Sequence, residues 1–183
     1  MGIDLNLINV IDIEATCWQD KPPDGQESEI IEIGICTLEV ATGNRLDRDS
    51  ILVKPEHSTV SQFCTNLTTL TTEHLEMAGG FKEACKVLRK KYFSRDRVWA
   101  SYGQYDLRQF QRQCQSFQVA YPFNQRHFNV KTWFAIANNL PSEVGMAQAL
   151  EILNLPLEGT HHRGIDDAGN IARILANLLG FKN

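Results

Sequence analysis

One short stretch constrains this chain more than any other: Leu7-Ile8-Asn9-Val10-Ile11-Asp12-Ile13-Glu14. Its Ile and Val content predicts a strand. Side chains alternate faces along a strand, so Asp12 and Glu14 share one, with Cα atoms about 6.6 Å apart. Two carboxylates on one face of an apolar strand repel each other and are costly to bury unpaired. Hard divalent cations, which prefer oxygen ligands, would remove that cost. The competing reading ends the strand at Asp12 and leaves both acids in water; a D-x-E pair alone does not decide between them.

The rest of the chain predicts strands first, then strands alternating with helices. Trp18 to Ser28 is polar, holds Pro22, Pro23 and Gly25, and reads as a loop. Ile30–Val40 and Arg45–Lys54 are strand candidates joined by the turn Ala41-Thr42-Gly43-Asn44. Ser61 to Phe93 turns helical, with a break at Gly79-Gly80. A short strand is expected at Val98–Tyr102, a helix at Asp106–Phe117 and a last strand at Phe128–Val130. Helices follow near Lys131–Asn139, Gly145–Asn154 and Asp166–Leu179. This order fits a mixed α/β sheet. The 183 residues fit one domain, 1–183, with a core of about 7–179.

Composition excludes several classes. With 43% hydrophobic and 22% charged residues the chain is neither disordered, collagenous nor coiled coil. No apolar run approaches the about 20 residues that cross a bilayer, and the start has no basic leader. A cytoplasmic protein without a membrane partner is expected, a nuclear one being compatible. The five cysteines (Cys17, Cys36, Cys64, Cys85, Cys114) are odd in number and scattered, so free and mostly buried thiols are expected.

The net charge of −4 does not advertise a nucleic-acid binder, but its distribution is lopsided. Residues 1–81 hold 14 acidic and 4 basic side chains; residues 82–183 hold 8 acidic and 14 basic. The densest basic stretch, Lys82 to Arg97, reads either as a solvated helix face or as a path for phosphates. An acidic pocket repels a polyanion unless cations sit in it, so the asymmetry points to metals.

Two further acidic signals stand at helix starts, where aspartates are common for reasons of capping and dipole alone. In His161-His162-Arg163-Gly164-Ile165-Asp166-Asp167, steps of +4, +7, +8 and +11 from Asp167 reach Ile171, Ile174, Leu175 and Leu178, an apolar stripe. Steps of +4, +7 and +11 from Asp166 reach Asn170, Arg173 and Asn177, a wet face. Asp167 is therefore expected to point inward and Asp166 outward. In Ser101-Tyr102-Gly103-Gln104-Tyr105-Asp106, Asp106 heads a stripe through Phe110, Cys114 and Phe117. Three inward acidic sites on different elements can converge at one sheet edge and hold a pair of Mg²⁺ or Mn²⁺ ions suited to phosphoryl displacement. A nearby imidazole could take a proton from water.

This set resembles the DEDDh 3′–5′ exonucleases of the ribonuclease H-like superfamily. The wording of Asp12-Ile-Glu-Ala-Thr-Cys17, Phe63-Cys-Thr-Asn-Leu-Thr68, Gly103-Gln-Tyr-Asp106 and His162-Arg-Gly-Ile-Asp-Asp167 is similar to the Eri-type branch, which includes histone-mRNA and small-RNA exonucleases. The likeness runs from about Leu7 to Leu179. It implies a three-layer α/β fold with a mixed five-stranded sheet flanked by helices. It implies that Asp12, Glu14, Asp106 and Asp167 hold two Mg²⁺ ions, with Mn²⁺ as a substitute, and that His162 is the general base. His161 has the same spacing to Asp166, and the helix-face argument chooses His162 with Asp167, leaving His161 a surface residue. The resemblance further implies that the Ala15–Thr16 backbone meets the terminal 3′ hydroxyl and that Phe63, Leu67 and Tyr105 pack on terminal bases. The implied partner is a single-stranded 3′ end, RNA rather than DNA, hydrolysed to nucleoside 5′-monophosphates. A polymerase-associated proofreading exonuclease shares the carboxylate set and stays a rival. A nuclease-dead binding module would lack one acid, and none is missing.

Overall fold

The computed structural model describes residues 2–181. The first strand, β1 (Asp4–Ala15), starts three residues before the expected segment, and β2 (Ile30–Glu39) and β3 (Arg45–Leu52) follow it as antiparallel neighbours. The helical region after them divides into α1 (Gln62–Thr68), α2 (Thr72–Leu75) and α3 (Phe81–Lys91). Then come β4 (Arg97–Ser101), α4 (Tyr105–Ser116), β5 (His127–Asn129), α5 (Val130–Ala137), α6 (Met146–Ile152) and α7 (Gly164–Leu178). The sheet order is β3-β2-β1-β4-β5, with β4 parallel to β1 and β5 parallel to β4. The mixed five-stranded sheet flanked by helices is thus observed, with boundaries within three residues of those expected.

Alternation along β1 sorts the chain into layers. Ile8 and Val10 face one side and join the core built by α5, α6 and α7, including Phe134, Leu150, Ile171 and Leu175. Ile11 and Ile13 face the other and pack with Phe81, Leu88, Trp99 and Phe110 under α3 and α4. Asp12 and Glu14 continue the Ile8–Val10 face beyond the apolar core, toward the start of α7. A third cluster, Ile31, Cys64, Leu70 and Leu75, seats α1 and α2.

One expectation is corrected here. Asn170 and Arg173 do not lie on a wet face of α7; both are buried. The coil before α7 covers them. Asn170 donates Nδ2–H to the Glu158 carbonyl (2.9 Å) and accepts the Glu158 N–H (3.1 Å), while Arg173 donates to the Pro156 carbonyl (2.6 Å). The backbone groups of that coil find polar partners on the helix, so the polar side of α7 is sealed rather than solvated. Asp166 does point away from the apolar stripe. It accepts from Arg48 (2.7 Å) and from the Thr160 N–H (2.9 Å). All five cysteines are free thiols, four of them buried.

Candidate active site

Three chain segments bring acids to the carboxyl edge of the parallel strands β1 and β4, the edge where open α/β sheets place their ligands. β1 supplies Asp12 and Glu14. After β4 the chain turns at Gly103, whose φ of +109° is in the left-handed region open to glycine, and α4 then begins with Asp106 in its first turn. The first turn of α7 supplies Asp167. Carboxylate oxygens of Asp12, Glu14 and Asp167 lie within 4.8 Å of one another. Asp106 lines the same cleft, of about 360 Å³, but stands outside that tight triad. Its Oδ1 accepts the Ile13 N–H at 3.1 Å, which ties α4 to β1.

The close approach of α7 to the sheet has a specific cause. Gly34 pairs with Asp12 across the β1–β2 ladder, and a Cβ there would stand 1.9 Å from the Gly164 carbonyl carbon. Only a glycine lets the start of α7 sit over this pair. Glu32, fully buried and paired in register with Glu14, then holds that start in place. It accepts from the Gly164 N–H (3.0 Å), Arg163 Nε (3.1 Å) and the Ser50 hydroxyl (2.6 Å). Neither Glu32 nor Arg163 was expected from the sequence. Glu32 nevertheless interrupts the apolar run Ile30-Ile-Glu-Ile33 in the way Asp12 interrupts β1, and the same pattern marks it.

The electrostatics of the cleft are those of acids with no arginine or lysine bonded to them among the described residues. Burial pushes the Glu14 carboxyl up to about 9, helped by the charges of Asp167, Glu32 and Asp106. Burial, then Asp106 and Glu14, hold Asp12 well above the carboxylate range. Burial raises Asp106 to about 6, offset by hydrogen bonds from its own N–H, the Ile13 N–H and the Ser101 hydroxyl. Burial raises Asp167 as well, against bonds from His161 and the His162 N–H. One basic side chain bears on Glu14, Arg163, and it is bonded to Glu32.

Both histidines of the loop before α7 line the cleft. His162 takes a left-handed φ of 64°, and its N–H donates to Asp167 Oδ2 at 2.9 Å. Burial, then the neighbouring His161, lower its imidazole pKa, favouring the neutral ring a base requires. His161 is exposed, as expected, but not idle: its Nδ1 lies 3.0 Å from Asp167 Oδ2 and its ring stacks on His162 at 4.0 Å. The sequence reading missed this contact because spacing to Asp166 pointed elsewhere.

The remaining predicted residues divide. Ala15, Leu67 and Tyr105 line the cleft. Phe63 lies one helical turn before Leu67, exposed and outside the cleft wall. Thr16 is fully buried; its N–H donates to the Glu29 carbonyl (2.8 Å), and its hydroxyl bonds Ser58 (2.9 Å) and the Glu29 N–H (2.9 Å). The donors of Thr16 are thus spent inside the fold, just past the point where the β1–β2 register shifts by one residue at Ile31. The basic stretch Lys82 to Arg97 does not reach the cleft. Lys91 bonds Asp49, Lys86 pairs with Glu83, and Arg89 and Arg95 donate to carbonyls of the 120–121 segment.

The sheet order and the edge cleft of four acids are those of the ribonuclease H-like nucleases. The family model described as Exonuclease (RNase_T) matches residues 9–175, and the chain belongs to that family. It is 31% identical over 185 residues to human 3′-5′ exoribonuclease 1, covering 95% of this chain and 52% of that protein. It is 22% identical to the 3′-5′ exonuclease eri1 of Schizosaccharomyces pombe over 95% of this chain and 68% of that protein. The chain thus spans about half the length of the mammalian 3′-5′ exoribonuclease 1 relatives it matches. The solved nuclease domain of 3′hExo, a DEDDh family member bound to rAMP, superposes with a TM-score of 0.85 at 28% identity, over 98% of this chain and 94% of that one. A 3′-exonuclease solved in 3′-end recognition of the histone mRNA stem-loop gives 0.85 at 28%, over 97% and 65%. Among the described residues no helix is long and apolar enough to cross a membrane.

Proposed function

We propose that this protein is a divalent-cation-dependent 3′–5′ exonuclease that removes nucleoside 5′-monophosphates from single-stranded 3′ ends, RNA in preference to DNA. One observation carries the reading: oxygens of Asp12, Glu14 and Asp167 share a space less than 4.8 Å across, with no arginine or lysine bonded to them among the described residues. A carboxylate cluster of this kind fits hard cations by donor chemistry and by charge. Asp12, Glu14, Asp106 and Asp167 would hold two Mg²⁺ ions, with Mn²⁺ as substitute. When bound, such ions offset the charge of the scissile phosphate and of the departing oxygen.

The chain's own residues do the rest. Neutral His162 takes a proton from the attacking water. Water oxygen bonds to phosphorus, the bond from phosphorus to the 3′ oxygen of the penultimate nucleotide breaks, and that oxygen receives the proton. Asp167 fixes the His162 backbone through its N–H and so sets where the imidazole stands. Leu67 and Tyr105 offer apolar and aromatic surface to the terminal base, with Phe63 at the rim and the Ala15 backbone beside the terminal sugar. The RNA preference is supported by relatives named exoribonuclease and by the rAMP-bound neighbour. We treat the chain as one exonuclease domain, and five free thiols fit the reducing cytoplasm expected of it.

The test is hydrolysis of 5′-labelled and 3′-labelled RNA and DNA 12-mers with Mg²⁺ or Mn²⁺. The 3′ label is expected to appear at once as mononucleotide while the 5′ label shortens stepwise, and chelation stops both. Internal cuts, activity unaltered by chelation, or faster DNA than RNA hydrolysis would each overturn the corresponding part.

A further inference from the structure

We infer that the nucleotides upstream of the 3′ end run along a groove on the outer side of α4, with Arg108, Arg126 and Lys131 holding their phosphates. This rests on the exonuclease reading and extends it to substrate length. The groove has a volume of about 710 Å³ and lies between α4 and the 119–127 segment that leads into β5. Its wall includes Gln104, next in sequence to Tyr105 and Asp106 of the acid cleft, so both hollows border the start of α4.

The composition of the groove suits a polynucleotide. Its floor is apolar, with Leu107, Cys114 and Val119. Its rim carries Gln104, Gln111 and Gln115, spaced by seven and four residues along one helix stripe, and Gln125 opposite. All four are exposed. Carboxamides offer donor and acceptor side by side, the combination that base edges present. The Tyr121 hydroxyl in the wall is shielded from water and has no partner, leaving a donor unspent. No acidic side chain lines the groove. From Gln104 to Gln115 the helix rises about 16 Å, room for about four nucleotides at the 3.4 Å stacked spacing.

Cations stand where a backbone would pass. Arg108 is one turn after Gln104, whose carbonyl accepts the Arg108 N–H at 3.1 Å. Arg126 follows Gln125, and both arginines are exposed and in no ion pair among the described residues. The Lys131 stem passes Gly103, its Cδ 3.8 Å from where a Cβ would be, and its Nζ stands 4.0 Å from Glu143 Oε2, the acid it would have to leave. The other flank of α4 has the opposite character. The smaller hollow there, about 210 Å³, is bordered by Glu27, Glu29 and Arg112, the last donating to the Ser28 carbonyl (2.8 Å), beside a loop that holds Asp20, Lys21 and Asp24. Acids outnumber cations on that side, so a polyanion leaving the cleft is better received on the β5 side. This gives the charge asymmetry between the two parts of the chain a use that the Lys82–Arg97 stretch does not supply.

The test compares kcat/KM for a trinucleotide, too short to run along the groove, and a 12-mer of RNA in Mn²⁺. Wild type is expected to favour the 12-mer at least tenfold. Arg108→Gln with Arg126→Gln should remove most of that advantage while the trinucleotide rate changes less than twofold. The slope of log affinity against log salt for the 12-mer should fall by about 1.4, two phosphate contacts at ~0.7 each. Lys82→Gln with Lys90→Gln on α3 is the control and should leave the advantage intact. An unchanged length advantage in the first variant, or its loss in the control, overturns the groove. A wild-type protein that cleaves neither substrate overturns the exonuclease reading instead, because the trinucleotide reports on the cleft without the groove.

Discussion

Two groups of carboxylates flank the start of α7, and the chain treats them in opposite ways. Glu32, Glu158 and Asp166 each have an arginine: Arg163 for Glu32, Arg45 and Arg173 for Glu158, Arg48 for Asp166. Hydrogen bonding from Arg45 brings the Glu158 carboxyl below the usual carboxylate range. Asp12, Glu14, Asp106 and Asp167 have only backbone N–H groups, a serine hydroxyl and His161, and all four are pushed upward. Burial does not separate the groups, since Glu32 is as deeply buried as any of them. Provision of a counter-charge does. The arginine-paired acids fasten the helix; the unpaired acids are left for charge that arrives from outside.

The strongest way to break that contrast is to neutralise one acid from each group on adjacent residues. Asp167→Asn is expected to lower turnover by ~10³-fold or more, the scale of losing a group that stabilises transition-state charge. Asp166→Asn removes a bond to Arg48 at the surface, so stability should fall by about 1 kcal/mol with turnover retained. Comparable losses of turnover from both would erase the distinction. On the same scale His162→Ala should cost ~10²–10⁴-fold, as for loss of a general base. His161→Ala should leave most activity, because Asp167 keeps its bond from the His162 N–H. A dead His161 variant beside an active His162 variant would reverse the two roles. Steady-state kinetics on a labelled oligonucleotide with circular dichroism melts separate the outcomes.

The unpaired acids were legible in the sequence; Glu32 carries the same signal, and what stayed hidden was the pairing, for a physical reason. Asp12, Glu14, Asp106 and Asp167 interrupt periodic apolar patterns, so local periodicity exposes them. Asp167 could even be told from its neighbour by the stripe through Ile171 and Leu175, both buried. The Glu32 partner Arg163 lies 131 residues away, and no local pattern links them. The burial of Asn170 and Arg173 depends on where the irregular coil before α7 runs, which periodicity says nothing about. The Gly34–Gly164 contact likewise exists only between elements. The commitment of the Thr16 N–H to Glu29 and of its hydroxyl to Ser58 likewise depends on where the loop after β1 runs, which motif position does not reveal.

A smaller effect should come from the fastening itself. Arg163→Ala leaves Glu32 buried with the Gly164 N–H and the Ser50 hydroxyl but no counter-charge. Breaking a buried pair costs about 3–5 kcal/mol; with Arg163 partly in water, about 2 kcal/mol is expected. Adding Glu32→Gln should recover part of it, a non-additivity that marks a direct pair. If the double variant loses the sum of the two single losses, the pair does not hold the helix and the contrast between the groups weakens. Denaturant melts of the four proteins give the cycle.

The smallest expected effect is the pH dependence of stability without metal. A carboxyl whose folded pKa is raised binds its proton more tightly folded than unfolded. Its contribution is fully present below the unfolded value and is lost as pH rises through the folded one. For Glu14 that window runs from the ordinary value near 4.5 to about 9, and Asp106 adds a narrower one ending near 6. The chelated protein should therefore lose ~5 °C of Tm between pH 5 and 9. Excess Mn²⁺ should flatten or invert the trend, since a bound cation replaces the displaced proton. Glu14→Gln should flatten the chelated curve through the removal of one titrating group, whereas Glu158→Gln, from the arginine-paired group, should leave its slope in place. A chelated curve that instead rises between pH 5 and 9 would mean these acids are ionised and paired in the free protein, and the two groups would no longer differ in kind.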